Sequence, residues 1–175
     1  MMKAAGAPSR AEARERMERE WAALEEALAG LDEAQMLETG VVEGWSVKDL
    51  LGHMAFWAQE AGRNVELVQA GRERQVKRPE GTEVIDRWNA REQRLRAGRS
   101  LVEVRRELEE SHRRALDALA GLAEEKLSLD LDIGLRVSGT LLELYAVDTY
   151  DHYQEHAEQI LAWRRRGEHD PKGVT

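Results

Sequence analysis

The sequence predicts an all-α protein, a four-helix bundle with short satellite helices, on three observations. Its commonest residues, Ala, Leu, Glu and Arg, are strong helix formers, while β-branched residues are sparse. Apolar residues recur at intervals of three and four along several long stretches. The three prolines, Pro8, Pro79 and Pro171, sit at the two ends and near the middle, which leaves two long tracts without a helix breaker. A chain of 175 residues is expected to form a single domain over 1–175, with 1–8 and 168–175 as flexible ends.

The first helix begins at Ser9, where Ser9 and Glu12 form the S-x-x-E capping box, and its stripe of Met17, Trp21, Leu24 and Leu28 runs to a stop at Gly30. Asp32 then caps a short turn through Gln35 and Leu37. The second helix starts at Ser46, with Asp49 at the capping-box position, and its stripe is Leu50, His53, Met54, Trp57, Ala61, Val65 and Val68. From Ser46 to Ala70 is about 25 residues, or roughly 37 Å at 1.5 Å per residue. The polar segment Gly71–Gly81, with Pro79, reads as a long connection.

Thr82 caps the third element, in which Ile85, Trp88 and Leu95 should face inward. A break is expected near Gly98, because Ser100 and Glu103 open a fresh capping box and the stripe Leu101, Val104, Leu108, His112, Ala115 and Leu119 continues to Gly121. Ser128 to Val137 alternates apolar and polar residues and reads as a loop or a short extended segment. The last helix starts near Thr140, with Glu143 at the capping-box spacing, runs to Arg166 and stops at Gly167. Arg164, Arg165 and Arg166 place positive charge at its C-terminal end, where the helix dipole favours it.

Composition excludes several chemistries. Without cysteine there are no disulfides, thiolate metal sites or cysteine nucleophiles. A net charge of −8 argues against nucleic acid or an acidic membrane surface as partner, so neither is expected. No apolar run is long enough to span a bilayer, and Met1–Ala7 lacks the apolar stretch of a signal peptide, so a soluble cytoplasmic protein is expected. No phosphate-binding glycine loop, dinucleotide fingerprint or nucleophile elbow is present.

Histidine carries the remaining signal. His152 and His156 form H-x-x-x-H on the last helix, a spacing that puts both rings on one face with Cβ atoms about 5–6 Å apart. An isolated pair of this kind is ordinarily just two surface or core histidines. His53 lies on the inward stripe of the second helix, preceded by Gly52, a residue that costs about 1 kcal/mol against Ala in a helix and would admit a close neighbour. One histidine from one helix and a pair from another supply three neutral nitrogen ligands and leave coordination positions open. This donor set allows Zn²⁺, Ni²⁺, Fe²⁺ and Cu²⁺ alike. Such a site requires the ring of His53 to lie within about 8 Å of the other two, given metal–nitrogen bonds near 2.1 Å.

Two segments carry a family resemblance. Gly44-Trp45-Ser46-Val47-Lys48-Asp49-Leu50-Leu51-Gly52-His53, followed by Phe56-Trp57 and Glu60, resembles the second-helix signature of the DinB/YfiT-like superfamily. Asp151-His152-Tyr153-Gln154-Glu155-His156-Ala157-Glu158-Gln159-Ile160 is similar to its last-helix signature. Trp88–Glu92 and Glu110–His112 resemble the intervening region more weakly. The resemblance implies a four-helix bundle holding a divalent metal, often nickel or zinc, on His53, His152 and His156. It also implies a homodimer and a small-molecule substrate such as a low-molecular-weight thiol, since relatives include thiol-dependent transferases.

Helical spacing places Trp57, Glu60 and Asn64 after His53, and Tyr145, Asp148 and Thr149 before His152. Glu60 or Asp148 could orient a ligand imidazole or accept a proton; the alternative is a charge on a solvated face. His112 reads as a ligand substitute or, more simply, a structural residue, and His169 as part of a charged tail. Three functions stay open: a metal-dependent enzyme of transferase or hydrolase type, a non-catalytic small-molecule-binding or stress-associated bundle, and a structural oligomer with histidines in its core.

Overall fold

Four long helices, α1 (Arg10–Leu28), α3 (Val47–Gln69), α5 (Leu101–Gly121) and α7 (Tyr150–His169), make the bundle in a computed structural model. It describes residues 9–76, 81–131 and 139–169. Short helices α2 (Glu33–Leu37) and α6 (Leu141–Asp148) and the longer α4 (Thr82–Arg96) are satellites to these four. Helix α3 lies along α5 and α1 along α7, while α6 packs on both α3 and α7. Their inward stripes form one apolar cluster that includes Met17, Leu24, Leu50, Leu51, Met54, Val104, Leu119, Tyr145, Tyr153 and Ile160.

The capping boxes expected at Ser9, Ser46, Ser100 and Thr140 all form, each side chain accepting from the backbone three residues on. Asp32 and Gln35 form a fifth. The break between α4 and α5 falls at residues 97–100, around Gly98. Of the expected flexible ends, 1–8 and 168–175, residues 168 and 169 belong to the last helix, and 1–8 and 170–175 lie outside the described residues, as do Pro79 and most of the segment that reads as a loop after Ser128. Where that loop is described, Asp130 pairs with Thr140 in an antiparallel bridge.

Three features differ from the sequence reading. Residues Thr39–Val42 and Trp45–Ser46 form a small antiparallel hairpin, β1 and β2, in a stretch to which the sequence pattern assigns no element. Its two-residue turn has Glu43 at φ 42° and Gly44 at φ 87°, the pair of positive values that matches the right-handed twist of the strands. The last helix is also not continuous. It breaks at Thr149 (φ −130°, ψ −97°), whose hydroxyl donates to the carbonyl of Tyr145, four residues back; such back-bonding competes with the helical ladder and bends helices. Helix α7 then continues past the expected stop at Gly167 to His169.

Helix α4 is the third difference. Of its expected inward residues, Ile85 and Trp88 are half-buried and Leu95 is 61% exposed. Its buried residue is Arg96. This side chain crosses α3 at Gly52, where a Cβ would come within 2.8 Å of Arg96 Cδ. The guanidinium donates to Glu92 and Glu107, each at 2.7 Å, and Arg99 also pairs with Glu107. Gly52 is thus explained by an arginine laid across the middle of α3.

Candidate metal centre

Helices α3 and α7 bring His53, His152 and His156 together. The ring of His53 is 4.7 Å from that of His152 and 5.2 Å from that of His156, and the two rings on α7 are 4.9 Å apart, centroid to centroid. All of these lie well inside the 8 Å limit set by bond lengths. One nitrogen from each ring lies within 4.8 Å of the others. His53 Nε2 and His152 Nε2 are 3.1 Å apart. Two nitrogens about 2.1 Å from a shared ion, at angles near 90–110°, stand roughly 3.0–3.4 Å apart, so this pair is already at bonding separation for a common cation.

Hydrogen bonds fix which nitrogen of His156 is available. The carboxylate of Glu155 can only accept, so the Gln159 atom that faces it at 3.1 Å is the amide nitrogen. The other Gln159 atom, Oε1, is therefore the one 2.7 Å from His156 Nδ1, and Nδ1–H donates to it. That leaves the lone pair on Nε2, a buried atom without a hydrogen-bond partner among the described residues, on a side chain only 6% exposed. A buried acceptor with nothing to accept is costly, and a cation would answer it. Gln159 thus takes the position that an outer hydrogen-bond partner occupies in histidine metal sites.

Electrostatics keep the site in its ligating form. Burial pushes the pKa of His53 down to about 3, helped by the nearby charges of His156 and then Arg96. Burial also lowers His156, against the opposing pull of Gln159 and Glu155. Neutral imidazoles are the metal-binding species. Aromatic rings surround the cluster: Trp45 meets His53 edge-on at 5.3 Å, and Trp57 lies 6.4 Å from both His53 and His152. A cavity of about 300 Å³ opens beside His53 and His156, bounded by the hairpin at Val42, Glu43 and Trp45 and by α4 at Asp86, Asn89, Ala90 and Gln93.

A family model described as the DinB superfamily matches residues 16–160. The chain belongs to the DinB superfamily. Among solved structures, this DinB bundle is similar to "Sibling Lethal Factor Precursor - DfsB" at 15% identity and a TM-score of 0.75, over 91% of this chain and 97% of that one. A Streptococcus pneumoniae protein matches at 15% identity and a TM-score of 0.75, over 91% and 92% of the two chains. The colibactin self-resistance protein ClbS, in complex with double-stranded DNA, matches at 13% identity and a TM-score of 0.75, over 98% and 100%. No curated protein matches the sequence.

The ClbS complex corrects one expectation. Nucleic acid was excluded as a partner on the net charge of −8, yet a protein of this DinB fold is seen on DNA. Net charge sums the whole surface, whereas phosphate contacts depend on where individual Lys and Arg side chains stand. Among the described residues, no helix is long and apolar enough to cross a membrane.

The other expected site residues are placed differently. Glu60 pairs with Arg63 at 3.0 Å. Asp148 is 2% exposed at the end of α6, and the break at Thr149 removes the helical register that put it one turn before His152. His112 stacks on Trp21 at 4.0 Å and meets Tyr153, a structural setting that pushes its pKa down to about 4 by burial. The side chain of His169 is outside the described set. Sequence reasoning missed Gln159, Arg96 and the polar wall of α4. The first was legible as a polar residue three after His156, and the last as the 86/89/93 spacing.

Proposed function

We propose that this chain is a divalent-metal-dependent enzyme of transferase or hydrolase type, with His53, His152 and His156 as the ligands. The observation that carries this reading is His156 Nε2, a buried lone pair whose direction Gln159 and Glu155 fix and which nothing among the described residues answers. A divalent cation there, nickel or zinc by preference and iron or copper by donor type, supplies the Lewis acidity that makes water or a thiol nucleophilic at neutral pH. The chain's own residues do the rest. The three imidazoles stay neutral to bind, Trp45 and Trp57 restrict water at the cluster, and the cavity beside His53 receives a small-molecule substrate, with a low-molecular-weight thiol as the leading class. Glu60 and Asp148 enter the proposal as groups that orient the site or take up the proton, and Glu60→Gln or Asp148→Asn should lower turnover with metal content unchanged.

Elemental analysis of protein purified without a histidine tag tests the centre. About one ion per chain is expected, lost in His53→Ala, His152→Ala and His156→Ala. Metal retained in all three variants overturns the reading. The same proposal includes a homodimer in the cytoplasm, and sedimentation velocity checks the dimer. A second reading, favoured by the DNA complex of ClbS, is that this chain also contacts duplex DNA. A gel-shift titration at two salt concentrations tests it, since phosphate contacts weaken steeply with salt.

A further inference from the structure

Trp57 links the histidine cluster to α4. Its ring is 6.4 Å from those of His53 and His152, and Trp88 of α4 stacks on it at the same distance. The side chain is 4% exposed, and a buried indole N–H calls for an acceptor. Asn89 Oδ1 accepts from Trp57 Nε1 at 3.0 Å. Because indole nitrogen can only donate, the amide atom facing it is the oxygen. The other end of the amide, Asn89 Nδ2, is thereby fixed as a donor. It is neither buried nor hydrogen-bonded among the described residues, and it belongs to a half-buried side chain that lines the cavity together with His53 and His156.

An acceptor for Trp57 does not by itself require asparagine. Aspartate would accept the same bond, costs a helix about as much, and is a residue type this helix uses freely, with acids at Glu83, Asp86 and Glu92. What asparagine adds at position 89 is the donor. The rest of the cavity restricts what that donor meets. Glu43 and Asp86 line it and are exposed, and their charge disfavours an anion. Val42, Leu50 and Ala90 contribute apolar surface. A neutral donor of fixed direction, in a partly apolar cleft with acidic edges, selects a neutral acceptor, and the strong one among small organic groups is a carbonyl oxygen.

We propose that this cavity binds a small neutral molecule bearing a carbonyl oxygen, such as a ketone, an amide or an ester, and that Asn89 selects it. Nδ2 donates to the ligand's oxygen while Oδ1 holds Trp57. The proposal rests on the reading of this cavity as the substrate site, not on the metal.

Asn89→Asp is the decisive variant, because it keeps the acceptor for Trp57 and removes only the donor. The probes are 4-sulfanylbutan-2-one and 3-methylbutane-1-thiol, thiols of equal length that differ in a carbonyl oxygen against a methyl group. Calorimetry on the zinc-loaded full chain compares them in wild type and variant, so that their intrinsic difference toward zinc cancels. The preference for the ketone should be about three- to tenfold greater in wild type, the scale of one neutral hydrogen bond, with zinc content and the Trp57 indole signal equal in the two proteins. If Asn89 serves only to hold Trp57, the preference is the same in both, and that result overturns the proposal. Where wild type takes up no zinc or binds neither thiol, it is the metal reading that has failed, and Asn89 is judged alone. Butan-2-one is then titrated into the full chain while the Asn89 side-chain amide is followed by nuclear magnetic resonance, its signal pair assigned by its absence in Asn89→Asp. A saturable shift of that pair upholds the proposal, and no shift overturns it.

Discussion

Gly52→Ala should destabilise this protein, against the usual direction of a helical Gly→Ala change. Alanine in mid-helix is worth about 1 kcal/mol over glycine. Here the new Cβ would lie 2.8 Å from Arg96 Cδ and 3.6 Å from Val104 Cγ1, whereas carbon atoms pack at about 3.5–4.0 Å. Arg96 must therefore shift by roughly 0.7–1 Å. Its guanidinium is held at 2.7 Å to Glu92, at 2.7 and 3.1 Å to Glu107, and at 3.2 Å to the Glu92 carbonyl. A shift of that size breaks at least one charge-assisted bond, worth about 1.5–3 kcal/mol. Set against the helix gain, the net loss is about 0.5–2 kcal/mol, which for a chain of this length lowers Tm by roughly 1–8 °C. Thermal unfolding followed by circular dichroism reads this directly. In an Arg96→Ala background the clash is gone and Gly52→Ala should raise Tm. A higher Tm for Gly52→Ala in the wild-type background, or the same effect in both backgrounds, refutes the reasoning.

Gln159→Leu removes the acceptor that fixes the proton on His156 Nδ1, and zinc affinity measured by chelator competition should fall about 10–100-fold with little change in Tm; an unchanged affinity would remove Gln159 from the site. His112 contributes a pH dependence whose sign follows from its depressed pKa. Burial lowers it from 6.5 to about 4, so the unfolded chain takes up a proton first. The His112 contribution is complete above about pH 6.5, declines as pH falls toward 4 and then levels off. His112→Phe keeps the stacking on Trp21 and removes a buried nitrogen without a partner. Denaturant titrations from pH 7 to 4 should therefore show a shallower loss of stability in the variant than in wild type, and parallel curves would contradict the assignment.

Local signals in the sequence were sufficient wherever structure was decided within a turn or two of helix. The capping boxes at Ser9, Ser46, Ser100 and Thr140 depend on residues three apart, and the break near Gly98 on a glycine followed by a new cap. The two histidine segments were legible for the same reason, as short patterns on regular helices. What escaped was decided by contacts across the fold. Glu43-Gly44 carries the right backbone for a tight hairpin turn but not the Asn-Gly chemistry that announces one. Thr149 breaks its helix through a hydroxyl bond that Thr makes only in some settings. Leu95, expected inward, is exposed, and its neighbour Arg96 is buried instead, because Gly52 opens a groove in α3 that a long, flexible side chain with two carboxylate partners fills.

These departures from helix rules are gathered around the histidines. Gly52 immediately precedes His53, and Thr149 stands three residues before His152. The hairpin with its positive-φ Glu43 and the polar stripe of α4 bound the same cavity. A bundle selected for stability alone would need no glycine at position 52 to admit an arginine, would run α6 into α7 without a break, and would turn apolar residues of α4 inward. Sequences that follow the local rules elsewhere break them where function demands it. The concentration of exceptions at one end of α3 and α7 is thus an argument, independent of the imidazole distances, that the histidine cluster is what this bundle is built to present.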